Sequence, residues 1–335
     1  MMIRLRACFL AIVVSLTIGS GCASAQVSDR PITSGNFYVD PMSSAALAII
    51  DHPEEAPTLD RLASTPQAIW LSPTYPPSSI GAEVRSDVDD AAQQNAIPVI
   101  VTYAIPYRDC GSFSAGGFGT AAEYTTWVDH VASGIGNRKA LVIIEPDALT
   151  DTSCLSPEQD AERTGLLRHA VNVLSAQVNT AVYIDGGHSR WLGATELASR
   201  LEAVDVNRAT GFSLNVSNFF TTAEEETYGE SVSALIGGKT YVIDTSRNGA
   251  GPPPDGPLNW CNPPDRKLGS APTTRTQAPH ADAYLWVKHP GESDGSCNRG
   301  EPPSSTWWNA YAVAIVRNSE RRNQRPDDRR ARACV

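Results

Sequence analysis

The stretch VIIEPDALTDTSC, residues 142–154, runs an apolar segment straight into two carboxylates, Glu145 and Asp147. A buried strand that ends on acids implies that its C-terminal end uses them. The segment is one of seven short apolar runs, at 68–71, 97–103, 140–144, 181–184, 211–214, 240–243 and 283–287. Helix-period segments lie between most of them, for example at 82–95, 121–135, 157–177 and 223–236. Strand alternating with helix is the signature of βαβ units, and strands apolar throughout are covered on both faces. The predicted class is α/β, a parallel α/β barrel.

Polar residues follow each predicted strand. Arg108 and Asp109 come after the second, Glu145 and Asp147 after the third, and Asp185, His188 and Trp191 after the fourth. Asn215 and Asn218 follow the fifth, Asp244 and Arg247 the sixth, and Lys288, Glu292 and Asp294 the seventh. In an α/β barrel the C-terminal strand ends share one rim, where active sites are built. Glu145 and Asp147 are thus expected in a ring of carboxylates around one mouth.

The rest of the chain bounds the reading. It has 335 residues, 41% hydrophobic and 19% charged, with a formal charge of -10. That charge argues against a nucleic-acid partner and suits a neutral or cationic ligand. Arg4 and Arg6 precede an apolar run and then Ala23-Ser24-Ala25, so residues 1–25 read as a secretory signal peptide. No later segment is expected in a membrane. In an exported protein Cys110, Cys154, Cys261 and Cys297 suggest two disulfides, expected as the sequential pairs, with Cys334 left over. Zinc is the rival, but there is no CxxC and no paired-histidine spacing. Residues 249–279, rich in Gly, Pro and Thr, read as an ordered loop over the site, with a domain linker as the alternative. The arginine-rich residues 318–335 read as a disordered tail.

A ring of aspartates with one histidine suits metal-assisted hydrolysis or glycoside hydrolysis. Trp191, Trp260 and Trp286 favour a sugar, because flat apolar rings stack on pyranose faces. A serine mechanism lacks its GxSxG motif.

Six stretches carry a resemblance: TYAIPYRDCGSFSAGG, VIIEPDAL, VYIDGGHSRWLG, VIDTSRNGAG, LNWCNPPDRKLG and AYLWVKHPGESDG. In this order they resemble the family 6 glycoside hydrolases, inverting β-1,4-glucanases, from about residue 36 to 315. The resemblance implies a single-domain, distorted parallel α/β barrel of about seven strands over residues 26–317. It further implies a secreted endo-β-1,4-glucanase acting on cellulose or related β-1,4-glucans, a monomer with no cofactor and no metal. A cellobiohydrolase and a non-catalytic glucan-binding protein on the same scaffold are the alternatives.

The resemblance also implies roles. Asp147 is expected to be the general acid, and Asp109 the neighbour that raises its pKa and positions the catalytic water. Asp294 is expected to be the base, acting directly or through water, or else a carboxylate that binds substrate. Asp185 is expected to tune the site, and Asp244 to be a buried partner of Arg247. Tyr103 matches the tyrosine that crowds the sugar at the cleavage subsite. Trp191 and Trp260 match sugar platforms, and Lys288, Glu292, His188 and Asn215 match hydroxyl-binding positions. One departure touches the water: several relatives carry a serine where this chain has Ala115, so that Ser114 or the backbone takes its place or the water relay differs.

Overall fold

The computed structural model describes residues 36–321. The signal peptide expected at 1–25, the tail beyond 321 and Cys334 lie outside the described residues. Seven strands, β1 (Ile69–Leu71), β2 (Val99–Thr102), β3 (Ala140–Ile144), β4 (Thr180–Asp185), β5 (Gly211–Leu214), β6 (Thr240–Asp244) and β7 (Ala281–Leu285), form one parallel sheet in chain order. Helices α1 (Ser44–Asp51) and α2 (Ala56–Ala63) precede β1. The helices α3 (Pro77–Gln93), α4 (Ala121–Ile135), α5 (Pro157–Leu174), α6 (Ala194–Ala203) and α7 (Thr222–Leu235) follow β1 to β5 in turn, and α8 (Asn309–Glu320) ends the described chain. All of the described residues belong to one folded unit.

Successive side chains on a strand point to opposite faces, so even a continuous apolar strand feeds two cores. Val99, Val101, Leu141, Ile143, Ala181, Tyr183, Val242, Ala283 and Leu285 pack with one another in one cluster. Their sequence neighbours, Ile100, Val142, Ile144, Val182, Ile184, Phe212, Leu214 and Ile243, pack instead with residues of α3 to α7. Both sets are buried, as the continuous apolar runs required.

Among the described residues no ladder joins β1 to β7. A few hydrogen bonds span that seam: Ala68 N–H donates to Trp286 O at 3.0 Å, and the Trp70 indole donates to Val287 O at 2.8 Å. His289 Nε2 lies 2.6 Å from Ala68 O. The barrel is therefore distorted rather than evenly closed.

Three expected boundaries move. The apolar run 97–103 breaks at Pro98, which has no N–H to give a ladder. Ala96–Ile97 pairs separately with Asn36–Phe37, and β2 begins at Val99. The seventh strand lies two residues earlier than the run 283–287, because Trp286 turns to the seam while Val287 and Lys288 donate their N–H groups to Asp244. Helix α8 runs through the expected domain edge at residues 317 and 318. Its Ser319 Oγ accepts Leu268 N–H at 2.8 Å, which ties that turn to the body of the protein.

Segment 249–279 connects β6 to β7 of the same sheet, which removes the linker alternative. It is pinned by bridges Asn248–Lys267 and Thr273–Tyr284 and by a disulfide. No helix among the described residues is long and apolar enough to cross a membrane.

Candidate active site

The strand ends bring Asp109, Asp147 and Asp185 together. Glu145, first of the two acids that close β3, is 1% exposed and points away from solvent: its Oε2 accepts Ala104 N–H at 2.8 Å and Ile105 N–H at 3.0 Å. It anchors the chain leaving β2. Pro146 then turns the backbone so that Asp147, half-buried with a φ of 69°, enters the site.

Asp185 holds this turn from the next strand. Its Oδ1 accepts Asp147 N–H at 3.0 Å and Gly187 N–H at 3.1 Å, and its Oδ2 accepts the Ser213 hydroxyl at 3.0 Å. Gly187, at a φ of 68°, has no room for a side chain, since a Cβ would stand 2.9 Å from the Trp191 ring and 3.1 Å from Thr150.

Burial first, then the charges of Asp185, Asp109 and Asp151, push the Asp147 carboxyl well above the ordinary carboxylate range. Desolvation and like charge act in the same direction here. Asp185 is pushed by burial to about 7, while its three donors pull back. Asp109 is also raised, chiefly by burial, against the Ser114 N–H that reaches its Oδ2 at 2.7 Å. The backbone of Ser114 thus serves Asp109 beside Ala115, while the Ser114 hydroxyl is spent on Ser304 Oγ at 2.6 Å. Arg108 does not pair with Asp109. Its guanidinium donates to Tyr103 O and Ser114 O at 2.6 and 2.8 Å, and lies 4.4 Å over the Tyr103 ring.

Asp294 has a different environment. Arg247 Nη1 reaches both of its oxygens at 2.9 Å, Asn262 N–H donates to Oδ2 at 2.9 Å, and Lys288 Nζ lies 3.6 Å from Oδ1. Against its burial, these cations hold Asp294 below the ordinary range. The expected Asp244–Arg247 pair is therefore corrected. Asp244 accepts four backbone N–H groups, from Ser217, Ser246, Val287 and Lys288. Arg247 goes to Asp294, forty-seven positions away.

The aromatic residues divide by exposure. Trp191 and Trp260 are 38% and 36% exposed, as platforms must be, whereas Trp286 is 2% exposed and its indole donates to Ser270 O. Trp286 is core, which corrects the reading of three sugar-facing tryptophans. Phe113, 6.0 Å from Trp260, presses on Gly295, where a Cβ would come within 2.4 Å. Tyr103 meets Trp70 edge-on at 5.3 Å, and burial and the charges of Asp147 and Asp109 raise its phenol well above its usual pKa.

His188 stacks on Phe220 at 4.3 Å, and burial holds it at about 4, so the ring is neutral at pH 7. Its Nδ1 accepts Arg190 N–H at 3.2 Å, which leaves the proton on Nε2 as a donor. Glu292 takes Ser44 and His289 on Oε1 alone, so among the described residues no donor reaches its Oε2. Asn215 is different. Its amide gives both hydrogens to Phe220 O and Asp244 O, and its oxygen accepts Phe220 N–H. The side chain is fully engaged in holding the loop and is removed from the hydroxyl-binding set.

Both expected disulfides are present, Cys110–Cys154 and Cys261–Cys297. Cys261 and Cys297 lie beside Glu301, but the disulfide consumes their sulfurs as ligands. Other supporting residues escaped the sequence reading. Trp70 lay inside the first predicted strand. Glu225, on α7, holds Ser189 N–H and with it the His188 loop. Asn262 clasps Asp294 N–H through its own oxygen at 2.7 Å.

Residues 29–319 match the family described as Glycosyl hydrolases family 6. The chain belongs to that family. It is 42% identical over 292 residues to Endoglucanase A of Cellulomonas fimi, covering 86% of this chain and 62% of that protein. The chain thus spans less than two thirds of that relative's length. Endoglucanase 1 of Streptomyces halstedii is 39% identical, covering 82% of this chain and 86% of its own. The solved structure of the endoglucanase Cel6 from Mycobacterium tuberculosis, in complex with methyl-cellobiosyl-4-deoxy-4-thio-β-D-cellobioside, superposes with a TM-score of 0.85. It is 52% identical, covering 86% of this chain and 99% of that one.

Proposed function

We propose that this family 6 chain is a secreted endo-β-1,4-glucanase that hydrolyses internal bonds of cellulose or a related β-1,4-glucan with inversion at the anomeric carbon. The observation that carries the reading is the Asp147 carboxyl, brought to the rim and raised well above the ordinary carboxylate range by burial and by Asp185 and Asp109. A carboxylic acid whose pKa is raised in this way holds its proton more readily and can deliver it to a departing glycosidic oxygen. Asp109, raised but more open, supports the water that attacks the other face of the sugar. Asp294, ionised beneath Arg247 and Lys288, has both oxygens occupied. That environment favours an electrostatic or water-relayed part over direct proton abstraction.

Trp191 and Trp260 offer stacking faces, Tyr103 crowds the sugar beside Asp147, and His188, Lys288 and Glu292 offer partners for hydroxyls. The relatives named endoglucanases and the thio-cellobioside complex support a β-glucan substrate. The signal peptide read at 1–25 supports secretion.

Short loops support internal cutting. After EPDAL the chain turns through residues 150–156 and enters α5 at a Ser156–Gln159 capping box. The segment between Cys261 and Cys297 spends part of its length on β7. Little is left to roof the groove. On soluble substituted cellulose, viscosity should fall steeply for each reducing end released, and proton NMR should show the α-anomer first. Cellobiose accumulating at nearly constant viscosity would overturn the internal mode, and an initial β-anomer would overturn inversion.

A further inference from the structure

We propose that Arg163 is a positioning residue for Asp109 and Asp147, cross-linking the two loops that carry them; the proposal rests on the glucanase reading above. Arg163 lies on α5 and is 3% exposed. Its Nη1 donates to Asp151 O at 2.9 Å, and its Nη2 to Pro106 O at 3.0 Å and Tyr107 O at 2.5 Å. Asp151 N–H in turn donates to Asp147 O at 2.7 Å, so the held carbonyl closes the turn that begins at the acid. Pro106 and Tyr107 lead directly into Arg108 and Asp109. One guanidinium therefore spans the chain leaving β2 and the chain leaving β3.

These loops need holding. Tyr107, Asp109, Cys110, Glu145 and Asp147 have φ values of 59°, 58°, 44°, 46° and 69°. Side-chain-bearing residues adopt that region at a cost and keep it only when the surroundings over-determine it. Ala148 and Leu149 of the acid loop pack into the core, but that packing is incomplete on the side of α5. A cavity of about 140 Å³, lined by Ala148, Leu149, Thr152, Arg163, Thr164 and Arg200 among others, backs the acid loop. What reaches the loop backbone there is hydrogen-bond donors, with Arg200 Nη1 on Leu149 O and Thr150 O at 2.9 and 3.3 Å.

Burying a guanidinium is expensive unless its geometry is well used, and the Nε of Arg163 has no partner among the described residues. An apolar side chain would fill the space more cheaply but could not reach three carbonyls on two loops. The Cys110–Cys154 disulfide joins the same loops at a second point. One link fixes a distance and leaves a hinge; two links also fix orientation. The Asp109 and Asp151 charges contribute to the raised pKa of Asp147, so the relative placement of these loops sets both the aim and the acidity of the proton donor.

The test is Arg163→Lys, which keeps the charge and replaces the fork with one ammonium. On unactivated β-glucan kcat should fall about ten- to a hundred-fold, the scale of an ångström-sized misplacement, with KM within about twofold of wild type. The alkaline limb of the kcat profile should move to lower pH, because Asp147 feels less of the Asp109 and Asp151 field; with charge conserved, that shift reports geometry. Hydrolysis of 2,4-dinitrophenyl β-cellobioside, whose leaving group needs no proton, should fall less, losing only the part that comes from displaced Asp109 and its water. A variant with lowered Tm but unchanged kcat and unchanged limb would make Arg163 merely structural and overturn the inference. Should the lysine variant fail to fold, Arg163→Gln, with an amide able to reach one carbonyl, is measured well below its own Tm by kcat and by the ratio of glucan to dinitrophenyl cellobioside rates, because its lost charge would itself move the pH limb. A lowered kcat and ratio support the inference and unchanged values overturn it. Wild-type protein inactive on every β-glucan would overturn the glucanase reading and this inference with it. Active wild type beside an unchanged variant overturns this inference alone.

Discussion

Asp147 and Glu145, two residues apart, have opposite fates. Glu145 accepts two backbone N–H groups away from solvent, and Asp147 faces three other carboxylates. Asp147→Asn is expected to lower kcat on unactivated glucan by ~10²–10⁴ or more, the range of general-acid assistance, while sugar binding persists. Parallel rates on glucan and on the dinitrophenyl cellobioside check this. An equal loss on both substrates would take the acid role away from Asp147. The motifs pointed to Asp147, Asp109 and Asp185, but a strand-end position alone did not separate them from Glu145 and Asp244, whose carboxylates are turned to backbone N–H groups instead. Partner choice was less legible. Arg247 could have met Asp244 or Asp294, and only tertiary placement, with four N–H groups already on Asp244, selects Asp294. Asn215 has a rim position that fits sugar binding, yet Phe220 and Asp244 O together take its amide hydrogens and its oxygen accepts Phe220 N–H.

Elements were legible where periodicity was sustained. Helix α4 has the expected bounds, residues 121 to 135, and begins with Thr120 Oγ1 accepting Glu123 N–H. The strands moved where a special residue intervened, as at Pro98, or where a distant acceptor captured the backbone, as Asp244 captures Val287 and Lys288. The eight-residue helices α1 and α2 were too short to announce themselves by period. At this scale the disulfides join elements that bear the site. They close loops of 44 and 36 residues, each contributing about 4 kcal/mol in the chain-entropy picture. Cys110 adjoins Asp109, and Cys261 and Cys297 flank the Asn262–Asp294 clasp. Mild reduction should therefore lower activity at temperatures where far-UV circular dichroism still reports native structure, and Tm should fall as well. Full activity with both bridges reduced, checked by mass spectrometry of alkylated thiols, would contradict this.

Over the whole molecule, the same burial that prepares the acid also sets how stability responds to pH. Burial is the largest cause in each of three raised carboxyls, Asp185, Glu225 and Asp87, all brought to about 7. An unfolded chain releases these protons near pH 4. Between about pH 4 and pH 7 the native state thus binds more protons than the unfolded state, and stability falls as pH rises through that window. Glu292 and Asp294 act in the other direction. Against their burial, His289 with Lys288 holds Glu292 at about 2, and Arg247 with Lys288 holds Asp294 low. Their contribution is complete above the ordinary carboxylate pKa of about 4 and is lost only as pH falls towards 2. The two groups together place the stability maximum on the acid side of neutrality. Tm should accordingly be higher at about pH 4.5 than at about pH 8. Asp87 isolates the effect, because it lies on α3, away from the strand-end ring, among Glu83, Asp40 and Asp90. Asp87→Asn should raise Tm at the higher pH, leave it nearly unchanged at the lower one, and leave kcat as it was. A Tm that rises from pH 4.5 to pH 8 in wild type, or a variant equally stabilised at both, would mean that these carboxyls are already ionised at pH 4.5 in the native protein, and their burial would not raise them as described.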